Sequence, residues 1–495
     1  MSSQKSLSRR DFLRAAAASA GAAAVAGFPG AVAHMAPAAQ GFEGTMQAFM
    51  GGTLQPNQPR GEGQGELTAY RTIADEWEAN HPGAVIEFIE LPTMTGEQYA
   101  TWIKSNQAAG TTPDMMFSQD NYINRDVEGG GSPFWYPLND HIEQPNPYAP
   151  EDHPAATRWR DGFVAGFDAR GRSVDGNYYM VPQAFSAVQV IVNTTLLDEV
   201  GIDRSNLDAW TFDDMLGVAE QISQAGRTPW ATAWTHPYEA WIVTSSLTGF
   251  LKATGRFATL DKDGDDFVDV RERWQAILSG EWGADTPEMR AMWQMAKDWS
   301  PYFMPGYLGA TQQEAEGMFL RGETAFFWNG TWFYPILKND PQRTFEFDVV
   351  RFPLIDARMA ALGESPEARN TYPGGAADNI SITGSAIDKG SVEACIDFMQ
   401  YATIPDTASR IAAEQGGVPP AVLGAVGNPE LERFQPREGE TFLKTIHMRS
   451  MNAEYGDVYL ELQAAFLSDL MSMDEALNEL QIAMERFAND AIGDS

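Results

Sequence analysis

The chain has 495 residues, 68 of them acidic and 34 basic, for a net charge of −34 at neutral pH. That balance excludes a surface built for nucleic acid or anionic membrane. The 43% hydrophobic and 11% aromatic content excludes a disordered chain, and the single cysteine excludes an internal disulfide. An acidic skin of this kind suits high salt, where self-repulsion is screened, and points to a halophilic or salt-tolerant source.

In chain order, Ser8-Arg9-Arg10-Asp11-Phe12-Leu13-Arg14 reads as a twin-arginine export signal. An apolar run from Ala15 to Phe28 follows, and Ala31-Val32-Ala33 offers a small-residue cleavage site. The run is shorter than the roughly 20 residues that span a bilayer. Residues 1–33 are therefore expected to direct export of the folded protein to the periplasm or the extracellular space. No cysteine follows the run, so no lipid anchor is expected. Residues 34–65 are rich in Gly, Gln and Pro, lack periodicity, and are expected to form a flexible leader. Tyr70 to Trp77 has the spacing of an amphipathic helix and Ala84 to Leu91 alternates as a strand. Gln98 to Ala108 is helical, and Met115 to Ser118 and Val188 to Val192 are short apolar strands. This alternation predicts an α/β protein with helices on both faces of its sheets. Roughly 430 residues beyond the leader exceed what one core usually holds. Two lobes are expected, 66–183 with 376–425 and 184–375 with 426–492. Cys395 falls in the apolar helical pattern of Val392, Ile396 and Met399 and is expected to be a buried, inert thiol.

Three stretches carry chemistry. Met318 and Phe319 end a helix, Gly322 suits its left-handed terminus, and Thr324 to Trp328 reads as a strand buried on both faces. Gly330 then turns the chain and presents Trp332 near the carboxyl edge of a sheet, where open α/β sheets bind ligands. Trp230, Trp234, His236, Tyr238 and Trp241 form a dense aromatic cluster whose polar interleaving suits a carbohydrate wall, with Trp234 and Trp241 as candidate contacts. The segment from Asp261 to Glu272 follows the EF-hand loop, with Asp261, Asp263, Asp265, Asp269 and Glu272 at positions one, three, five, nine and twelve. Asp266 stands where glycine normally turns the loop. Structural calcium and a solvated acidic turn are both open readings, and no other cofactor is expected.

The order of several motifs resembles extracellular solute-binding proteins of family 1, the maltose-binding-like sugar receptors of ABC importers. Ala108-Ala109-Gly110-Thr111-Thr112-Pro113-Asp114-Met115-Met116 resembles the family's A-x-G-x-x-P-D stretch, and Asp175-Gly176-Asn177-Tyr178-Tyr179-Met180-Val181-Pro182 its D-G-x-x-Y-x-x-P strand. Val192-Asn193, Leu196-Leu197 and Gly201-Ile202-Asp203 are similar to its N-x-x-L-x-x-x-x-G-I segment. Trp210-Thr211-Phe212-Asp213-Asp214 stands where a T-W-x-E helix start is usual, with the first two residues exchanged and Asp for Glu. The Phe319–Trp332 stretch, the segment Ile380 to Glu393 and the closing Asp474-Glu475-Ala476-Leu477 complete the likeness, from about Leu67 to Phe487.

The resemblance implies a two-lobed periplasmic-binding-protein-like fold of type II, with a ligand cleft between the lobes and hinge closure around a sugar. It implies importer permease subunits as partners and a monomeric receptor. Trp332 matches the tryptophan that stacks on sugar, flanked by Asn329 and Trp328. Gly374 and Gly375 fall where the chain recrosses between lobes, and Tyr455 where relatives place a late aromatic. Gln119 and Asp120 follow the Pro113-Asp114 strand. These candidates include almost no Arg or Lys, which favours a neutral sugar or oligosaccharide over an anion. The competing classes are an exported carbohydrate-active hydrolase or lyase, which needs paired carboxylates, and a binder of polyamines or other compatible solutes. No G-x-S-x-G, H-E-x-x-H or P-loop pattern is present, so no enzyme activity is expected.

Overall fold

The computed structural model describes residues 42–50 and most of 69–492; within the latter the longest interruptions are 363–370, 435–440 and 444–452. The export signal at 1–33 lies outside the described residues. Contacts divide the chain into two compact units, Met1–Ser186 with Gly375–Leu431, and Ala187–Gly374 with Glu432–Ser495. The chain thus passes between units at 186/187, 374/375 and 431/432.

In the first unit, β1 (Gly44–Phe49) lies parallel to β2 (Ala84–Phe88) on one side and β3 (Met115–Ser118) on the other. Within the leader expected at 34–65, residues 44–49 are thus a paired strand, while 34–41 and 51–65 lie outside the described residues. Met46, Ala48 and Met50 alternate onto a buried face, but so short an alternation is lost in a Gly-, Gln- and Pro-rich background. β3 occupies the expected residues and pairs antiparallel with the end of β8 (Thr371–Ile382), Met115 opposite Ile382. β2 is shorter than the expected run to Leu91 and buries Ala84, Ile86 and Phe88 while exposing Val85 and Glu87.

The helix Ala69–Asn80 buries Tyr70, Ile73, Ala74 and Trp77, one stripe at helical spacing. Trp77 meets Phe398 of the helix Val392–Ala402 edge to face at 5.8 Å. Cys395 is buried in that helix, and burial pushes its thiol far above the usual range, which keeps it inert. Asp114, of the Pro113-Asp114 pair, is wholly buried and accepts hydrogen bonds from Gln47 N (2.8 Å), Ser391 Oγ (2.8 Å) and Lys389 Nζ (2.7 Å). It ties β1 to the segment after β8, so this motif residue is structural.

In the second unit the strand order is β7 (Phe347–Val350), β4 (Met180–Asn193), β6 (Thr324–Gly330) and β5 (Thr228–Ala231). β4 enters from the first unit and runs well beyond the expected Val188–Val192. It pairs antiparallel with β6, Val188 opposite Gly330, and with β7, Val190 opposite Val350. β5 lies parallel to β6, with Ala231 opposite Phe327. Every residue of β6 is buried, as its β-branched and aromatic run requires. Trp230 packs on Phe326 at 5.0 Å and edge-on to Trp299 at 4.8 Å, the centre of an aromatic core.

Local signals explain the motifs. Asn193 caps the helix Thr194–Val200 by accepting Leu196 N at 3.0 Å, and Gly201 ends it at φ 83°. Thr211 and Asp214 form a capping box for the helix Phe212–Gln224, so the exchanged Trp210-Thr211 order still supplies a cap. Gly322 takes the left-handed position (φ 73°) after the helix Gln312–Leu320. None of the described helices is long and apolar enough to cross a membrane.

Candidate ligand-binding site

The site is built at the carboxyl end of β6 within the second unit. β6 ends at Gly330, Thr331 continues its ladder by donating to Ala187 O at 2.9 Å, and Trp332 precedes the helix Phe333–Asn339. The indole of Trp332 folds back over Gly330: a Cβ there would stand 2.1 Å from Cζ3, 2.2 Å from Cη2 and 2.5 Å from Cε3. Only glycine leaves room for this close approach. Trp332 is half-buried, with part of its surface open. An aromatic ring held against backbone and still partly exposed can receive the C–H face of a sugar.

The other β6 candidates are interior. Trp328 is 1% exposed and sits edge-on to Phe352 at 4.3 Å. Asn329 has no exposed surface, and its Oδ1 accepts Gly330 N at 2.7 Å. Strand alternation turns Asn329 to the face opposite the one over which the Trp332 ring lies. Tyr455, also without exposed surface, packs edge-on to Trp274 (5.7 Å) and Phe487 (5.8 Å), so it lies under the closing helix. Trp234 is 4% exposed, stacked on Phe303, and its backbone N–H donates to Tyr307 O at 2.7 Å. It follows β5, which is parallel to β6, so Trp234 and Trp332 leave the same edge of the sheet. Trp241 and His236 lie outside the described residues.

Elsewhere, Gly374 and Gly375 are strand residues of β8 at the passage between units. In the first unit Gln119 is exposed after β3, and Asp120 opens the helix Asp120–Glu128, its side chain lying outside the described residues.

Sequence reasoning missed two polar residues beside Asn329. Gln189 stands opposite Asn329 on β4, and both amide nitrogens, like Thr331 Oγ1, lack a partner among the described residues. Gln189 is 1% exposed and its Oε1 accepts Phe352 N at 3.3 Å. A lone Gln within the run Val188–Val192 was the available signal.

The acidic loop gathers part of its expected set. Carboxylate oxygens of Asp261, Asp263 and Glu272 lie within 4.8 Å of one another. Asp269 caps the helix Val270–Ser279, and Glu272 answers it in a capping box while also accepting Lys262 N at 2.6 Å. Burial pushes the Glu272 carboxyl up; those backbone donors oppose the shift, and the Asp269 and Asp263 carboxylates add to it. The left-handed turn is taken by Gly264 (φ 75°), while Asp265 and Asp266 lie outside the described residues.

A family model described as bacterial extracellular solute-binding protein matches residues 72–434. An uncharacterized ABC transporter extracellular-binding protein of Pyrococcus horikoshii is 26% identical over 272 residues, 54% of this chain and 53% of the relative, so the match spans about half of that curated relative's length. Among solved structures, a chitin oligosaccharide binding protein aligns with TM-score 0.63 at 16% identity, over 90% of this chain and 100% of its own. A maltose-bound protein from T. maritima gives 0.58 at 18%, covering 89% and 99%. A solute-binding protein in complex with raffinose gives 0.57 at 15%, covering 90% and 99%. At these identities the likeness is one of fold, a mixed α/β fold shared with solute-binding proteins. By the extent of its family match, the chain belongs to the bacterial extracellular solute-binding proteins, a family of binding proteins rather than enzymes.

Proposed function

We propose that this protein is the extracytoplasmic substrate-binding component of an ABC importer and takes a neutral sugar or oligosaccharide. The carrying observation is Trp332, half-buried and held over Gly330 at the carboxyl end of β6. The names of the structural neighbours, which bind chitin oligosaccharide, maltose and raffinose, support the same ligand class. The partners are then the permease subunits of that importer, and the twin-arginine segment delivers the receptor to its compartment.

Calorimetric titration of the mature chain with neutral mono-, di- and trisaccharides tests the reading. Saturable heat near one ligand per chain is expected. Continuous heat with consumption of the sugar replaces it with a hydrolase or lyase, and no heat across the panel removes sugars in favour of polyamines or other compatible solutes.

We further propose structural calcium at the acidic loop, where Asp261, Asp263 and Glu272 bring carboxylates together and Asp265 and Asp269 complete the loop's acidic positions. Calcium alone is expected to raise the unfolding temperature, and Asp261→Asn with Asp263→Asn to abolish that rise; equal behaviour of the two proteins would leave a solvated turn.

A further inference from the structure

The helix Ala453–Leu467 carries Tyr455, Tyr459 and Gln463 at intervals of four, one stripe along its length. A stripe on a helix facing the core is normally apolar, yet these three are 0%, 1% and 1% exposed. They are met by a carboxyl group. Glu239, 4% exposed, lies on the segment that follows β5, its N–H donating to Thr235 O at 3.1 Å. The Tyr459 hydroxyl donates to Glu239, and Gln463 Nε2 donates to the Tyr459 oxygen at 2.8 Å. Trp293, from the helix Pro287–Trp299, closes over Tyr459 edge-on at 6.0 Å.

The chain of donors ends on one oxygen of Glu239. Its Oε1 has no partner among the described residues, and neither has Gln463 Oε1. An ionised carboxylate in such a place keeps a bare oxygen away from water, which is costly, whereas the protonated form spreads no net charge into the site. Among the described residues, the titratable and charged groups facing Glu239 are Tyr459 and Tyr455, with the Arg273 guanidinium acting on Tyr455 from the helix Val270–Ser279. No cation is hydrogen-bonded to Glu239 among the described residues. Burial accordingly pushes its carboxyl up to about 8, with the Tyr459 hydroxyl opposing.

We propose that Glu239 is a proton-linked latch inside the second unit: neutral, it lets the segment after β5 and the helix Ala453–Leu467 close over it as one dry seam. Its ionisation puts a charge with a bare oxygen into that seam and loosens it, a cost that the stronger Tyr459 hydrogen bond to the charged form offsets only in part. The sign follows from linkage. The folded carboxyl holds its proton at pH values where the unfolded one has lost it. The latch is therefore fully stabilising below the ordinary carboxylate range and is progressively lost as pH rises from there to about 8. The segment it holds carries Trp234, which leaves the same edge of the sheet as Trp332, and Tyr238, whose ring packs on Phe327 of β6 at 5.7 Å.

The test is thermal unfolding of the unsubstituted protein and of Glu239→Gln between about pH 5 and pH 9, with amide exchange over residues 232–239 and 453–467. The unfolding temperature of the unsubstituted protein is expected to fall relative to the variant by about 5 °C or more across that range. Amide protection in the two segments is expected to fall with it. Parallel pH curves, or protection lost equally in both proteins, overturn the proposal. Should the variant not fold, Tyr459→Phe serves: removing the donor that favours the charged form is expected to move the midpoint to higher pH, and an unmoved midpoint overturns the proposal equally.

Discussion

Alanine at position 330 isolates the Trp332 ring from everything else at the end of β6. Gly330 is not among the glycines with positive φ, so the backbone admits an L-residue and the new methyl is the whole perturbation. That methyl would lie 2.1, 2.2 and 2.5 Å from three atoms of the indole. Ordinary carbon contacts begin near 3.5 Å, so the ring must retreat by more than about 1 Å or leave its rotamer. Overpacking of this kind costs about 1–3 kcal/mol, or a few degrees in unfolding temperature for a unit of this size. An aromatic stack is worth about 0.5–1.5 kcal/mol beyond the area it buries, so sugar affinity should fall about tenfold or more in a calorimetric titration. Trp332→Ala alone should lose affinity similarly, and Gly330→Ala added to it should then cost little further stability, because the clashing ring is gone. Equal destabilisation by Gly330→Ala with and without Trp332 would refute the close-approach argument. Unchanged affinity in both single variants would refute Trp332 as the sugar platform.

Other positions give independent outcomes. Asp114→Asn exchanges an acceptor for a donor facing Gln47 N, Ser391 Oγ or Lys389 Nζ, and should cost about 2 kcal/mol in urea unfolding with sugar affinity unchanged. Thr211→Ala removes the cap of the helix Phe212–Gln224, at about 1 kcal/mol, read in the same assay. Replacing Arg9 and Arg10 together by lysine should leave the precursor in the cytoplasm on cell fractionation; undiminished export would overturn the twin-arginine route.

The sequence announced the elements whose local chemistry and burial agree. The helix Ala69–Asn80 and β3 lie where apolar spacing puts them, and Asn193 with Gly201 bracket a helix because each suits its own terminus. β1 was hidden because six residues of alternation cannot outweigh glycine-rich surroundings, although pairing on both edges makes it a central strand. The site was harder for a different reason. Aromatic side chains satisfy a core and a sugar equally well, so Trp328, Trp234 and Tyr455 carried the same signal as Trp332 while occupying the interior. What separates Trp332 is the missing Cβ two residues before it, and that matters only once the ring is seen to lie there. Buried polar residues are obscured still further, since Gln189 and Glu239 stand in apolar or aromatic runs that set the pattern on their own. Their meaning rests on what surrounds each polar atom. For Glu239 that is a Tyr459 hydroxyl on one oxygen and, among the described residues, no partner on the other, an imbalance that falls most heavily on the charged form and so couples this fold to pH.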